Sequence, residues 1–292
     1  MTQSMAGRVV TRFGSQVLVE DDQGAVHRCT TRRRLEHGVC NDRVQWHRDA
    51  QGHGVVTDIL PRTNLLERVD PRGNHKSVAA NLSQVVVVIA PAPEPNWSLV
   101  DRYLAAIERM PARGVILFNK VDLLPMGSPL PSPLNEYRDL GYDVIHASVP
   151  HDRGMDTLRA ALSSGVSVLV GQSGVGKSSL VKALLPDLEI RIGALSEMGG
   201  EGGRHTTTNA TLYPLECGGA LIDSPGVRDF TPGPASREAL VQGFVELRER
   251  AGECRFQDCS HTVEPGCAVI EAVKAGHISP RRYESYRNLL PG

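Results

Sequence analysis

The run Gly171-Gln172-Ser173-Gly174-Val175-Gly176-Lys177-Ser178 follows the apolar stretch VSVLV and precedes the amphipathic stretch SSLVKALL. In that context, G-x-x-x-x-G-K-S spacing describes a phosphate loop. Glycines let the backbone of Gly171 to Ser179 wrap closely around an anion, and its N–H groups and the following helix N-terminus point at the phosphates. Lys177 adds a positive charge near the β and γ positions, and Ser178 offers a hydroxyl ligand to magnesium. The alternative, a glycine-rich turn that happens to precede a helix, needs both flanking elements to be coincidental.

Two downstream segments extend the same chemistry. GALIDSPG places Asp223 at the end of a short apolar strand, where a carboxylate holds magnesium through water, and Gly226 where its N–H senses a γ-phosphate. Between these and the phosphate loop, GGEGGRHTTTNATLY combines loose glycines with hydroxyls at Thr206, Thr207 and Thr208. That composition reads as a switch loop in which Thr206 or Thr207 reaches magnesium, the choice between them being open; the other reading is a polar connecting loop.

The base is addressed by FNKVDLLP, residues 118–125. Asp122 accepts from N1 and the 2-amino group of guanine, a donor pair that adenine does not present. Asn119 bonds the base and the neighbouring loop, Lys120 lies alongside the ring, and Ser148 and Val149 of the segment ASV offer a backbone N–H to the guanine carbonyl. The nucleotide is therefore expected to be GTP, with GDP as product. In the usual order of a GTPase the phosphate loop comes first and the base reader last; here the order is inverted, so the chain reads as a circular permutation broken just after Gly226.

CRFQDCSHTVEPGC supplies Cys254, Cys259, His261 and Cys267 within fourteen residues. Four such ligands close a tetrahedron around one structural zinc ion and leave no open position; incidental cysteines beside a histidine are the alternative. Cys29, Cys40 and Cys217 are scattered and read as small buried apolar side chains.

The elements that must carry these groups follow from patterning. The chain has 292 residues, enough for several modules, and a formal net charge of −1, so polyanion binding must come from local patches. Residues 1–75 alternate short β runs with turns, as in a small antiparallel barrel; 76–233 alternate apolar strands with helices, as in a mainly parallel α/β sheet; 234–292 read as helices around the metal segment. Between 28 and 48, Arg28, Arg32, Arg33, Arg34, Arg43 and Arg48 face only Glu36 and Asp42, enough for phosphate contacts, while Phe13 and Trp46 are the sole large aromatics in reach. No signal segment or membrane-length apolar run is present, which leads to the expectation of a cytoplasmic protein with no membrane partner.

Taken together, NKVD, GQSGVGKSS, GGRHTTT, DSPGVRDF and CRFQDCSHTVEPGCAV in this order resemble the family of ribosome small subunit-dependent GTPase A (RsgA) over essentially the full length. The resemblance implies an N-terminal OB-fold, a permuted P-loop GTPase domain and a small α-helical zinc domain. It also implies a role in late maturation of the small ribosomal subunit, with that particle and its rRNA as partners and as stimulators of hydrolysis. A monomer is expected. Val227 stands where many GTPases carry a water-orienting glutamine, and His205, present in the family motif, is the candidate for that task. Two other readings stand beside this one: a permuted GTPase for the large subunit, and a GTP-gated RNA-binding scaffold with negligible hydrolysis.

Overall fold

The structure is a computed structural model that describes residues 4–31, 35, 37–69, 75–199, 209–228 and 232–291. Strands β1 (Met5–Phe13), β2 (Gln16–Asp21), β3 (Val26–Thr31), β4 (Arg43–Arg48) and β5 (Gly54–Ile59) fall in the region where the sequence alternates short β runs with turns. They hydrogen-bond in the order β1-β2-β3-β5-β4, and β4 returns to β1, with Met5 opposite Trp46 and Arg8 opposite Arg43. Closure removes the free sheet edges. One pairing departs from the all-antiparallel barrel expected from the patterning: β3 and β5 run parallel, with Cys29 opposite Gly54. The link between them passes through β4, so a hairpin could not have joined these two strands. The barrel interior is filled by Val9, Val17, Val19, Cys29, Val44, Trp46 and Val56.

Beyond it lie the hairpin β6 (Leu65–Val69) and β7 (His75–Ala80), then β8 (Gln84–Ile89), α1 (Trp97–Ile107), β9 (Arg113–Phe118), α2 (Pro133–Asp139), β10 (Asp143–His146), α3 (Met155–Leu162), β11 (Val166–Val170), α4 (Lys177–Leu184), α5 (Leu188–Gly199), β12 (Thr211–Pro214), β13 (Ala220–Asp223) and α6 (Pro225–Arg228). The hairpin spans the boundary expected at 75/76; it forms a separate two-stranded sheet, tied to the barrel's loop by the bridge of Ala79 to Cys40. Strands β10, β9, β8, β11 and β13 are parallel neighbours in that order. Every residue of β8 is buried, because the sheet is covered on both faces. Val85, Val87 and Ile89 pack with Leu104 of α1 and Tyr137 of α2, whereas Val86 and Val88 pack with Leu158 of α3 and Leu180 of α4.

Strand β12 is an element that the sequence reading assigned to the loop. TLY at 211–213 pairs antiparallel to β13, and Thr211 faces Thr11 of β1, with their hydroxyls 3.0 Å apart. One sheet therefore runs from the nucleotide-binding half into the barrel.

The C-terminal helices α7 (Arg237–Gly243), α8 (Val245–Ala251), α9 (Ala268–Lys274) and α10 (Pro280–Leu289) close over Leu240, Phe244, Leu247, Val269 and Tyr286. A buried polar joint ties them to α1. Asp101 accepts from Tyr137 Oη at 2.6 Å, Arg281 Nη1 at 2.9 Å and Arg282 Nη1 at 2.8 Å, while Glu246 of α8 takes the other end of Arg282. Asp101 and Arg282 are at most 1% exposed, so each charge depends on its partner for solvation. No helix among the described residues is long and apolar enough to cross a membrane.

Candidate nucleotide site and metal centre

The phosphate loop leaves β11 and enters α4 as the sequence spacing requires. Gly171 has φ +136° and Gly176 φ +95°; a Cβ would lie 2.2 Å from the Val88 carbonyl oxygen at the first and 2.4 Å from Asn119 Nδ2 at the second. Both positions therefore demand glycine twice over, by conformation and by space. Lys177 is buried, and its Nζ donates to the carbonyls of Gly171 at 2.6 Å and Gln172 at 2.8 Å, which curls the amine back over the loop. Val175 buries its side chain, while Ser173, Gly174, Ser178 and Ser179 are exposed.

The segment expected to read the base meets this loop directly. Asn119, at the end of β9, donates from Nδ2 to the Val175 carbonyl at 2.9 Å, and Lys120 Nζ donates to the Gly174 carbonyl at 2.6 Å. Asn119 Oδ1 is buried with no hydrogen-bond partner among the described residues, an acceptor of the kind that a ligand in the site would satisfy. Asp122 lies in a 3₁₀ turn, Val121–Leu123. Ser148 donates its hydroxyl to Asp122 Oδ1 at 2.5 Å, and that bond is the main reason the carboxyl is held below its usual range. The backbone N–H of Ser148 donates to the Arg153 carbonyl at 2.9 Å, so its hydroxyl is the group turned to Asp122; Val149 follows it in the same loop. The sequence reading missed this hydroxyl, although its place beside the base-reading loop was the available signal.

Asp223 ends β13, and Gly226 lies in α6 with Arg68 of β6 beside it, whose Nη1 would be 3.6 Å from a Cβ there. The carboxylate is bridged by Arg228: Nε donates to Oδ1 at 2.6 Å and Nη2 to Oδ2, while Nη1 donates to Ser178 Oγ at 3.0 Å. Two oxygen donors from separate elements thus converge on one cationic group, which fits the pair expected to hold magnesium. Val227 is 1% exposed and packs in the core. His205, Thr206 and Thr207 lie outside the described residues, as do Arg32, Arg33, Arg34 and Glu36.

In the C-terminal module, the donor atoms of Cys254, Cys259, His261 and Cys267 all lie within 4.8 Å of one another. Cys254 Sγ is 3.8 Å from Cys267 Sγ and 3.4 Å from His261 Nδ1, and Cys267 Sγ is 3.5 Å from the same nitrogen. A zinc tetrahedron with ordinary bond lengths has S–S edges of about 3.8 Å and S–N edges of about 3.6 Å, so the cluster fits that ion. Burial pushes the Cys259 thiol up to about 12, a shift that a bound dication would reverse. The ligand loop is clamped by Glu264, which accepts from the backbone N–H of Ser260 at 2.7 Å and of Thr262 and Val263 at 3.1 Å. Tyr283 and Tyr286 of α10 donate their hydroxyls to the carbonyls of His261 and Ser260, at 2.7 and 2.9 Å.

The barrel's aromatics do not face solvent: Trp46 is 1% and Phe13 5% exposed. Asp42 is also buried and engaged with Arg62 at 2.7 Å, so it does not neutralise exposed Arg28, Arg43 and Arg48. Of the scattered cysteines, Cys29 and Cys40 are buried as expected, whereas Cys217 is only half-buried, because its turn between β12 and β13 lies at the sheet's rim.

The family model for the RsgA GTPase matches residues 59–232. "Small ribosomal subunit biogenesis GTPase RsgA" of Chromohalobacter salexigens is 48% identical over 98% of this chain and 85% of its own length, and the protein of the same name from Pseudomonas aeruginosa is 48% identical over 97% and 84%. Among solved structures, YjeQ from Thermotoga maritima superposes with a TM-score of 0.76 at 30% identity, over 98% of this chain and 97% of that one. YloQ, described as a circularly permuted GTPase, superposes with a TM-score of 0.77 at 26% identity, over 98% and 93%. With the inverted motif order gathered on one sheet and the match spanning nearly the whole chain, this protein is a GTP-hydrolysing enzyme of the RsgA GTPase family.

Proposed function

We propose that the chain binds the small ribosomal subunit through its rRNA, hydrolyses GTP when stimulated by that particle, and couples hydrolysis to late maturation and its own release. The observation that carries this reading is the contact of Asn119 and Lys120 with Val175 and Gly174, which joins base reader and phosphate loop despite their inverted order. The names of its relatives point to the small subunit. A cleft of about 480 Å³ supports an RNA partner: Arg12, His37, Arg68 and Lys76, from the barrel, its loop and the β6–β7 hairpin, line it together with Gly226. A phosphate seated there would lie against the glycine that senses the γ-phosphate. With Trp46 and Phe13 buried, contact is by backbone and shape and not by base stacking.

In this reading residues 1–75 form the RNA-binding barrel, 76–233 the GTPase domain and 234–292 the zinc domain, and the protein acts as a monomer. Asp122 and Asn119 select guanine; Gly171 to Ser179 orient the phosphates; Lys177 leaves its carbonyl partners to meet the β and γ oxygens. Ser178 directly and Asp223 through water would hold magnesium, which would supply charge neutralisation to the transferring phosphoryl group. Buried Val227 cannot orient water, so His205 takes that role, with Thr206 or Thr207 closing the switch. Cys254, Cys259, His261 and Cys267 hold a structural zinc ion.

The test is GTP turnover by the purified chain with small subunits, with large subunits and alone. Stimulation by small subunits alone is expected. Equal stimulation by large subunits would replace the assignment, and turnover that neither particle raises would leave a GTP-gated scaffold.

A further inference from the structure

Arg228 has no part in the mechanism above, yet its guanidinium lies between the two side chains assigned to magnesium. It closes α6, and its fork spans Asp223 and Ser178, the latter fifty positions away in the chain. Both carboxylate oxygens accept from it, and Ser178 accepts through the hydroxyl oxygen. A divalent ion held by Ser178 directly and by Asp223 through water draws on the same oxygen atoms from the same side. A carboxylate engaged bidentately by arginine keeps its outer lone pairs, but the guanidinium fills the space in front of both oxygens, and it stays charged at any pH at which the protein is folded. Guanidinium and dication therefore cannot share this donor set without direct repulsion between like charges. Asp223 is 11% and Arg228 26% exposed, so solvent lies beside the arginine as an exit.

We propose that Arg228 is a built-in competitor of magnesium: guanidinium and metal hold Asp223 and Ser178 in alternation, and loading of the metal–nucleotide pair expels the arginine. Arg228 is thus a positioning residue. Before loading it keeps the two ligands at bonding distance from a single cation, and it sets the magnesium concentration at which nucleotide is retained.

The inference rests on the nucleotide reading and is tested apart from hydrolysis. Release of N-methylanthraniloyl-GDP from the full-length chain is followed over a magnesium titration for the wild type, Arg228→Ala and Arg228→Lys. Removing the competitor lowers the half-point for magnesium in Arg228→Ala by about tenfold, a typical size for coupling between two binding events. Lysine, which keeps the charge but not the fork, falls between the two. In EDTA the order reverses, and the alanine variant releases GDP faster than wild type because Asp223 and Ser178 are no longer held. Manganese bound to the protein–GDP complex, read by electron paramagnetic resonance, shows the same ranking of metal affinity. An unchanged or raised magnesium half-point in Arg228→Ala overturns the proposal. Should that variant melt below the assay temperature, Arg228→Lys decides alone, and a half-point equal to wild type overturns it. A wild type that binds no labelled GDP at all overturns the nucleotide reading itself, an outcome separate from the other two.

Discussion

Asn119 Nδ2 donates to the carbonyl of Val175 at 2.9 Å across fifty-six positions of sequence. This bond runs from the loop after β9 to the loop after β11, and β8 lies between those strands in the sheet. Strand order in space, not along the chain, decides which loops meet at the carboxyl ends of parallel strands. A chain that begins its nucleotide domain at β8 can therefore assemble the same crevice as one that begins at the phosphate loop.

Asp122→Asn should lower GTP affinity by at least about a hundredfold, since two guanine donors lose a charged acceptor. Xanthosine triphosphate, which presents an acceptor at that ring position, should gain. Equilibrium binding of GTP, XTP and ATP measures the change, and unchanged preference for GTP would remove Asp122 from the base.

Ser148→Ala should shift the acid limit of GTP binding. Asp122 must be ionised to accept from guanine, and its carboxyl is held low chiefly by the Ser148 hydroxyl. Affinity is thus retained above the folded value and lost as pH falls through it. Without the hydroxyl that loss begins at higher pH, nearer the ordinary value of 3.8. Fluorescent GDP titrations at descending pH, above the acid unfolding midpoint read by circular dichroism, would show it.

His205→Ala should reduce subunit-stimulated turnover by roughly a hundredfold with GTP affinity nearly unchanged, as expected when a water-positioning group is lost. Val227 has a buried apolar side chain that cannot position a water molecule, which leaves that task to another group. A large loss of affinity in place of turnover would assign the histidine to ground-state binding.

Metal removal should unfold the C-terminal module and leave the barrel folded. Apparent binding energies of structural zinc are on the order of 10 kcal/mol, comparable with the whole stability of a domain. One zinc per chain by mass spectrometry, its loss in Cys267→Ser, and loss of hydrogen-exchange protection in α9 and α10 are expected. Protection that survives chelation would show that the core around Phe244 and Tyr286 suffices.

Arg282→Met should destabilise the chain by about 3–5 kcal/mol, because Asp101 and Glu246 would keep buried charges that Arg281 alone cannot satisfy. Thermal melts compared with Arg287→Met, at an exposed pair on the same helix, provide the control.

Local patterning in the sequence was enough for the strands β1–β5, β8–β11 and β13, the loop between β11 and α4, and the clustering of Cys254, Cys259, His261 and Cys267, because each is written in alternation or spacing over a few residues. What it left open involves partners far apart in the chain. Closure of the barrel through Met5 and Trp46, the parallel β3–β5 pair, and the bond between Thr11 and Thr211 that fuses barrel and sheet depend on register across as many as two hundred positions. TLY at 211–213 reads as loop because three residues carry no detectable period, and it becomes β12 only when β13 and β1 supply hydrogen bonds. The fork of Arg228 between Asp223 and Ser178 is of the same kind. An arginine after a short motif has no spacing signal, and its partners are fixed by which two acceptors the packed sheet sets before it.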